Sequence, residues 1–163
     1  MKSRIDYSKA GNMHKGIQHV FALSQYTQKT VDPILLHLID IRVSQINGCA
    51  FCLDMHTQEA QYEGEDRRRI NTVATWQECA WFSDKERAAL DWAESVTLLS
   101  ETHVPDAVFE RLQAHFSEDE IIDLTLAVAT INTWNRIAVS FRTVPGAMDE
   151  YISKRYAHKA ATV

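Results

Sequence analysis

Apolar residues recur at helical spacing along most of the chain, and no strand-like alternation bounded by turn residues stands out. The clearest stretch begins at Pro33, which suits a first helical turn because its missing N–H would have no partner there. The pair Asn47-Gly48 ends this stretch, since both residues tolerate a positive φ. A new helix is predicted to start around Cys49 and to run to about Tyr62.

Two Ser-x-x-Glu sequences have the form of a capping box, in which serine and glutamate satisfy free N–H groups at a helix start. They begin at Ser83 and Ser117. The long apolar segment after the second, Ile121 to about Phe141, is predicted to be the central buried helix. The other predicted helices lie at Ile17–Phe21, from Asp66 to Thr75, from Pro105 to near His115 and from Ala147 toward Tyr156. The pattern therefore predicts an all-α fold of about seven or eight helices.

The length of 163 residues suits one domain spanning residues 1–163. A net charge of −5 argues against a nucleic-acid partner, because phosphate binding needs a concentrated basic face. The run Arg67-Arg68-Arg69 stands among acidic residues and is predicted to be a solvated helix face. No apolar run approaches the roughly 20 residues that cross a bilayer, and the N-terminal sequence lacks the apolar stretch of a secretory signal. We therefore expect no membrane partner and a cytoplasmic protein.

The three cysteines are an odd number, and disulfides are rarely structural in the cytoplasm. A Cys-x-x-Cys sequence in that setting indicates redox chemistry or a metal site, and Cys49 and Cys52 form one. The third cysteine, Cys79, lies between Trp76 and Trp81 and is predicted to be core or near-core.

Cys49, Cys52 and His56 are separated by three and four residues, so a helix places all three on one face. The first turn of a helix favours thiolate over thiol through its free N–H groups and positive dipole end. His56 can take the thiol proton or hydrogen-bond the thiolate. We therefore predict Cys52 as the nucleophile and Cys49 as its resolving partner, cycling between dithiol and disulfide.

Two other interpretations of these residues stay open. Buried, inert cysteines are common. Alternatively, His37, Cys49, Cys52 and His56 could form a tetrahedral zinc site in a non-catalytic or redox-sensing helical oligomer, although the usual zinc-finger spacing is absent.

The stretch LLHLIDIRVSQINGCAFCLDMHTQEA resembles the carboxymuconolactone decarboxylase superfamily and, within it, the AhpD-like alkylhydroperoxidases. FSDKERAALDWAESVT and DLTLAVATINTWNR look similar too, so the resemblance covers about Ile17 to Arg142. It implies the all-α AhpD-like fold and a homo-oligomer, often a trimer or hexamer.

The resemblance also implies thiol-dependent reduction of peroxides, or of an oxidised partner protein, with a dithiol or thiol-protein reductant and no cofactor. By position, Cys49 and Cys52 would cycle through a disulfide, and His56 would belong to a proton relay. The decarboxylase branch typically lacks the cysteine pair, so decarboxylation is the weaker implication.

One position departs from the family pattern. The family's relay usually includes a glutamate in the helix before the motif, where this chain has His37. A neutral imidazole can still relay a proton, but it cannot stabilise a charged His56 as a carboxylate would. We include His37 with Cys49, Cys52 and His56 among the predicted catalytic residues.

Asn132 and Arg136 lie one turn apart on the long predicted helix, close to Asn135. Buried polar groups need partners. We expect these side chains to form a polar network that reaches the motif helix or a neighbouring subunit, without catalytic duty.

Overall fold

The computed structural model describes residues 2–7 and 14–160, and within them the regular secondary structure is entirely helical. This confirms the predicted all-α class. A 3₁₀-helix, Val73–Glu78, lies between the fourth and fifth α-helices. The α-helices of the described residues are α1 (Lys15–Thr30), α2 (Pro33–Asn47), α3 (Ala50–Tyr62), α4 (Arg67–Thr72), α5 (Asp84–Thr97), α6 (Leu99–Thr102), α7 (Asp106–Gln113), α8 (Glu118–Phe141) and α9 (Asp149–Ala160).

The helix ends that carry strong local signals lie where the sequence predicts them. Pro33 opens α2, and the Asp32 side chain caps it by accepting from the Leu35 N–H at 3.0 Å. Gly48 ends α2 in the left-handed conformation, with φ 67°. Both predicted capping boxes form, at Ser83 before α5 and at Ser117 before α8.

Three details differ from the prediction. The helix predicted to reach Thr75 stops at Thr72 and continues as the 3₁₀-helix, because Thr75 itself has non-helical angles (φ −124°, ψ 33°). The last helix begins at Asp149, two residues later than predicted. The short helix α6 was not predicted, since a single turn is too short to produce a periodic pattern.

The central helix is α2, and the prediction that the long helix α8 would be central is wrong. Nine of the 15 residues of α2 are buried, against eight of the 24 residues of α8. Helix α2 packs against α3, α5 and α8, so it has apolar neighbours around most of its circumference. Its polar residues His37 and Asp40 are therefore buried with the rest.

The buried apolar side chains form two clusters. The larger joins α2, α5, α7 and α8 and includes both Cys49 and Cys52. The smaller lies under α4 and the 3₁₀-helix around Leu38 and Trp76, and Cys79 packs against its edge as predicted. Each fully buried Leu or Ile contributes roughly 1.5–3 kcal/mol, so this core stabilises the helices that carry the cysteine turn.

The prediction of a solvated face at Arg67–Arg69 is wrong for Arg69. Its guanidinium pairs with Glu65, with Nε and Oε1 3.0 Å apart, and with Glu86 at the start of α5. Arg68 lies over the ring of Trp81, 4.1 Å from the ring centre. These arginines join α4 to the start of α5.

Among the described residues, no helix is both long and apolar enough to cross a bilayer.

Candidate active site

The cysteine pair occupies the turn that begins α3. Cys49 is the N-cap residue, and its sulfur accepts a hydrogen bond from the Cys52 N–H at 3.3 Å. The two cysteines form a disulfide, with their Cα atoms 5.4 Å apart, and each is about 1 % exposed. Both sulfurs therefore lie at the positive end of the helix dipole, where a thiolate is stabilised once the disulfide is reduced.

A cavity of about 380 Å³ lies beside this turn, enclosed by residues of α1, α2, α3, α8 and α9. Its walls are mostly apolar. Cys52 and His56 both line it, whereas Cys49 is not among its lining residues. The apolar wall includes Phe21, Leu36, Phe51, Met55, Ile131 and Trp134. Of the two cysteines, Cys52 is therefore the one that borders a space suited to a small molecule.

His56 lies between two carboxylates. Its Nδ1 is 3.1 Å from Oε2 of Glu59 and 3.4 Å from Oδ2 of Asp40, and all three side chains are buried. Burial alone would lower the pKa of His56, but the Asp40 and Glu59 carboxylates outweigh it and raise the pKa. Burial raises the pKa of Asp40 to about 7. Burial also opposes ionisation of Glu59, yet its hydrogen bond with His56 lowers the Glu59 pKa overall.

His37 lies next to this group, and its ring centre is 6.3 Å from that of His56. Burial lowers the pKa of His37 to about 4, so its imidazole is neutral at pH 7. Its Nδ1 is buried without a hydrogen-bond partner. His37 therefore does not replace the charge of the expected glutamate; Asp40 and Glu59 supply the carboxylates next to His56 instead.

Asp40 and Glu59 were not predicted as site residues from the sequence. Each stands three residues after a histidine of interest, so each shares that histidine's helix face. Asp40 also interrupts the otherwise apolar run LLHLIDI, and a charged residue in such a run signals a buried group that needs a partner.

The zinc interpretation requires both cysteines as ligands, together with His37 and His56. The possible ligand atoms that lie close together in the structure belong to a different set of residues. Within the described part of the chain, His37, His56 and Glu59 offer ligand atoms that all lie within 4.8 Å of one another. That group contains neither cysteine, and Cys49 and Cys52 are joined to each other.

The polar network predicted for α8 forms, but the hydrogen bonds of the described residues join it to the last turn of α2 and not to the motif helix α3. The Asn47 side-chain amide donates to Oδ1 of Asn132 at 3.0 Å and to Oδ1 of Asn135 at 2.9 Å. Asn135 in turn donates to the Ser44 hydroxyl at 3.0 Å, and Arg136 donates to Oδ1 of Asn132 at 2.8 Å. These bonds tie α8 to the last turn of α2 and so fix the position from which the cysteine turn departs.

Comparisons with known proteins agree with this architecture. The sequence model of the carboxymuconolactone decarboxylase family matches residues 17–95. YdfG from Bacillus subtilis (strain 168), an uncharacterised protein, is 39 % identical over 141 residues, which are 86 % of this chain and 95 % of that protein. The crystal structure of ATU0492 from Agrobacterium tumefaciens has a TM-score of 0.84 at 44 % identity and covers 90 % of this chain and 99 % of that one. Its function is unknown, and a place in antioxidant defence as an AhpD has been suggested for it.

The chain belongs to the carboxymuconolactone decarboxylase family, and its fold is AhpD-like. A redox role fits this family generally. The debrominase Bmp8 has a TM-score of 0.70 at 18 % identity, covering 85 % of this chain and 75 % of that one. That likeness shows the fold alone, and the fold evidently serves more than one chemistry.

Proposed function

We propose that the protein is a thiol-dependent peroxidase and disulfide oxidoreductase, which reduces peroxides or an oxidised partner protein. The observation that carries this proposal is the Cys49–Cys52 pair at the start of α3, with Cys52 on the wall of an apolar cavity that His56 also lines.

In the proposed reaction Cys52 reacts with the peroxide first and Cys49 reacts second. The Cys52 thiolate attacks the terminal oxygen of a hydroperoxide, ROOH; the O–O bond breaks, and the leaving alkoxide takes a proton to become ROH. Cys52 is then a sulfenic acid. The Cys49 thiolate attacks that sulfur, a disulfide forms, and the hydroxide that leaves is protonated to water. An external dithiol or thiol protein reduces the disulfide and restores both thiols.

His56 is proposed to carry the proton between the thiol and the leaving oxygen. Its Nδ1 is held by Glu59 and Asp40, so Nε2 is the ring nitrogen that remains to serve Cys52. The carboxylates orient the ring and stabilise its charged form, as the family's relay glutamate would do. His37, as a neutral imidazole next to His56, stays a proposed secondary member of this relay.

The cavity supports a carbon-based hydroperoxide as the peroxide substrate. The cavity has a volume of about 380 Å³ and mostly apolar walls. Hydrogen peroxide is small and strongly hydrated, so apolar walls do not favour its binding. An alkyl or aryl hydroperoxide can bury its apolar group there, which favours binding. A homo-oligomer of three or six chains, a cytoplasmic location and the identity of the reductant stay predictions.

The test is consumption of cumene hydroperoxide and hydrogen peroxide by purified protein with a dithiol reductant. We expect the wild type to consume cumene hydroperoxide faster, Cys52→Ser to lose the activity, and Cys79→Ser to retain it. Full activity in Cys52→Ser would contradict the mechanism. Inactivity of the wild type toward every peroxide tested, with a disulfide that still forms reversibly, would favour redox sensing.

A further inference from the structure

The buried histidines and carboxylates next to the cysteine turn form two matching pairs. Helix α2 carries His37 and Asp40, and α3 carries His56 and Glu59, and in each pair the carboxylate residue comes three positions after the histidine. That spacing puts both members of a pair on one helix face, and α2 and α3 pack against each other. All four residues are between 5 % and 8 % exposed. Two His/carboxylate pairs on facing helices are a common way to build a metal site in a helical core.

The separations of these groups suit a small divalent ion. Tetrahedral zinc ligands at about 2.0–2.1 Å from the metal are about 3.3 Å from one another. Nδ1 of His56 is 3.1 Å from Glu59 and 3.4 Å from Asp40. The ligand atoms of His37, His56 and Glu59 are at most 4.8 Å apart. This is at most about 1.5 Å more than the tetrahedral spacing, a difference that small side-chain rotations can close.

His37 provides the second observation that points to a ligand. The residue is more than nine-tenths buried, one of its ring nitrogens lies within the 4.8 Å cluster, and its Nδ1 has no hydrogen-bond partner. A buried polar atom without a partner costs free energy, which a coordinate bond would recover if His37 binds the ion through Nδ1. Glu59 is also prepared for ligation, because Arg155 holds its Oε1 at 3.3 Å and leaves Oε2 to face His56.

We propose that His37, His56 and Glu59 bind a divalent transition-metal ion of the zinc and cobalt class. Two histidines and one glutamate are an established zinc ligand set, with a fourth position for water or, here, for the neighbouring carboxylate of Asp40. The ion takes the place of the proton on His56 Nδ1, so binding releases a proton to solvent. Neither sulfur is required as a ligand.

An occupied site would hold His56 on the metal and withdraw it from the proton transfer that serves Cys52. Zinc is therefore expected to inhibit the thiol chemistry. This consequence rests on the proposed peroxidase function, whereas the metal site itself does not.

The direct test is a titration of chelator-treated, oxidised protein with Co²⁺ and with Zn²⁺. In oxidised protein the Cys49–Cys52 disulfide prevents both sulfurs from acting as thiolate ligands. We expect one equivalent of Co²⁺ to bind with visible d–d bands of low-coordinate cobalt and without a near-ultraviolet thiolate charge-transfer band. Zinc is expected to displace the cobalt and to raise the melting temperature of the wild type.

The variants His37→Ala, His37→Gln and Glu59→Gln should each weaken binding by at least about tenfold. His19→Ala and His115→Ala alter exposed histidines and should bind like the wild type. Circular dichroism without metal shows which variants are folded. The change in melting temperature that zinc causes in the wild type measures binding without the use of any variant.

Absence of stoichiometric binding by the wild type would overturn the proposal. So would wild-type affinity in folded His37→Ala, or an equal loss in the exposed-histidine variants. Because metal binding is read without peroxide, failure of the metal site leaves the proposed peroxidase intact, and an inactive enzyme that binds cobalt leaves the metal site intact.

Discussion

Nδ1 of His56 lies 3.1 Å from Oε2 of Glu59, one turn further along α3, and both side chains are buried. Through this contact a carboxylate on the motif helix itself acts on the histidine that shares a cavity with Cys52. Where the family resemblance leads us to expect a glutamate, this chain has His37, and the carboxylates next to His56 are Asp40 on α2 and Glu59 on α3.

The first prediction concerns Glu59→Gln, which keeps the shape of the side chain and removes its charge. We expect kcat/KM for peroxide to fall by roughly one to two orders of magnitude, because His56 loses the carboxylate that orients it and favours its charged form. Alkylation of Cys52 by iodoacetamide in reduced protein should slow as well, since less thiolate is present.

The alkylation rate separates this effect from a loss of folding. Glu150→Gln, which alters an exposed ion pair with Lys154, serves as the matched control and should leave both rates unchanged. Unchanged alkylation in folded Glu59→Gln would show that Glu59 does not act on Cys52 through His56.

The second prediction concerns the support of the cysteine turn. Asn135→Leu removes the donor to the Ser44 hydroxyl and one acceptor of the Asn47 amide in a buried position. We expect a loss of about 1–3 kcal/mol in the free energy of unfolding. Urea unfolding of the oxidised protein measures it, with the exposed Asn71→Ala as control. A loss no larger than that of the control would show that the network contributes little.

The third prediction concerns the acid dependence of stability. Burial would raise the pKa of Glu86, but hydrogen bonds from Arg69 and Ser83 outweigh it and lower the pKa. A carboxylate with a lowered folded-state pKa stabilises the fold at pH values above its unfolded pKa of about 4.3, and this contribution disappears as pH falls through the folded value.

Glu86→Gln, which keeps a side chain able to cap α5, should therefore cost about 1 kcal/mol at pH 7. The difference from wild type should shrink steadily as the pH falls below about 4. Urea unfolding at several pH values measures it, and exposed Glu110→Gln is the control. If the difference in the free energy of unfolding between the variant and the wild type stays constant with pH, the effect comes from the altered helix cap and not from the charge of Glu86.

Local signals account for what the sequence predicted well. Pro33 and the two Ser-x-x-Glu capping boxes act within a few residues, so the starts of α2, α5 and α8 could be predicted from the sequence. The pair Asn47-Gly48 predicts the end of α2 in the same way. The spacing of Cys49, Cys52 and His56 likewise fixes their common helix face, whatever the rest of the chain does.

Apart from Glu59, which lies on the same helix as His56, the missed features depend on contacts between helices. Asp40 meets His56 only because α2 packs on α3, and Arg69 meets Glu86 only because α4 lies next to the start of α5. The length of α8 suggested a central helix, but a smaller share of its residues is buried than of α2, and that share depends on how the helices pack together in three dimensions.

The most direct test of the central claim is to trap the first oxidised sulfur. Reduced Cys49→Ser is treated with one equivalent of cumene hydroperoxide in the presence of dimedone, which captures sulfenic acids. We predict a single adduct on Cys52 by peptide mass spectrometry, and none on Cys49 when Cys52→Ser is treated in the same way. An adduct on Cys49 in Cys52→Ser, with an unmodified Cys52 in Cys49→Ser, would contradict the account.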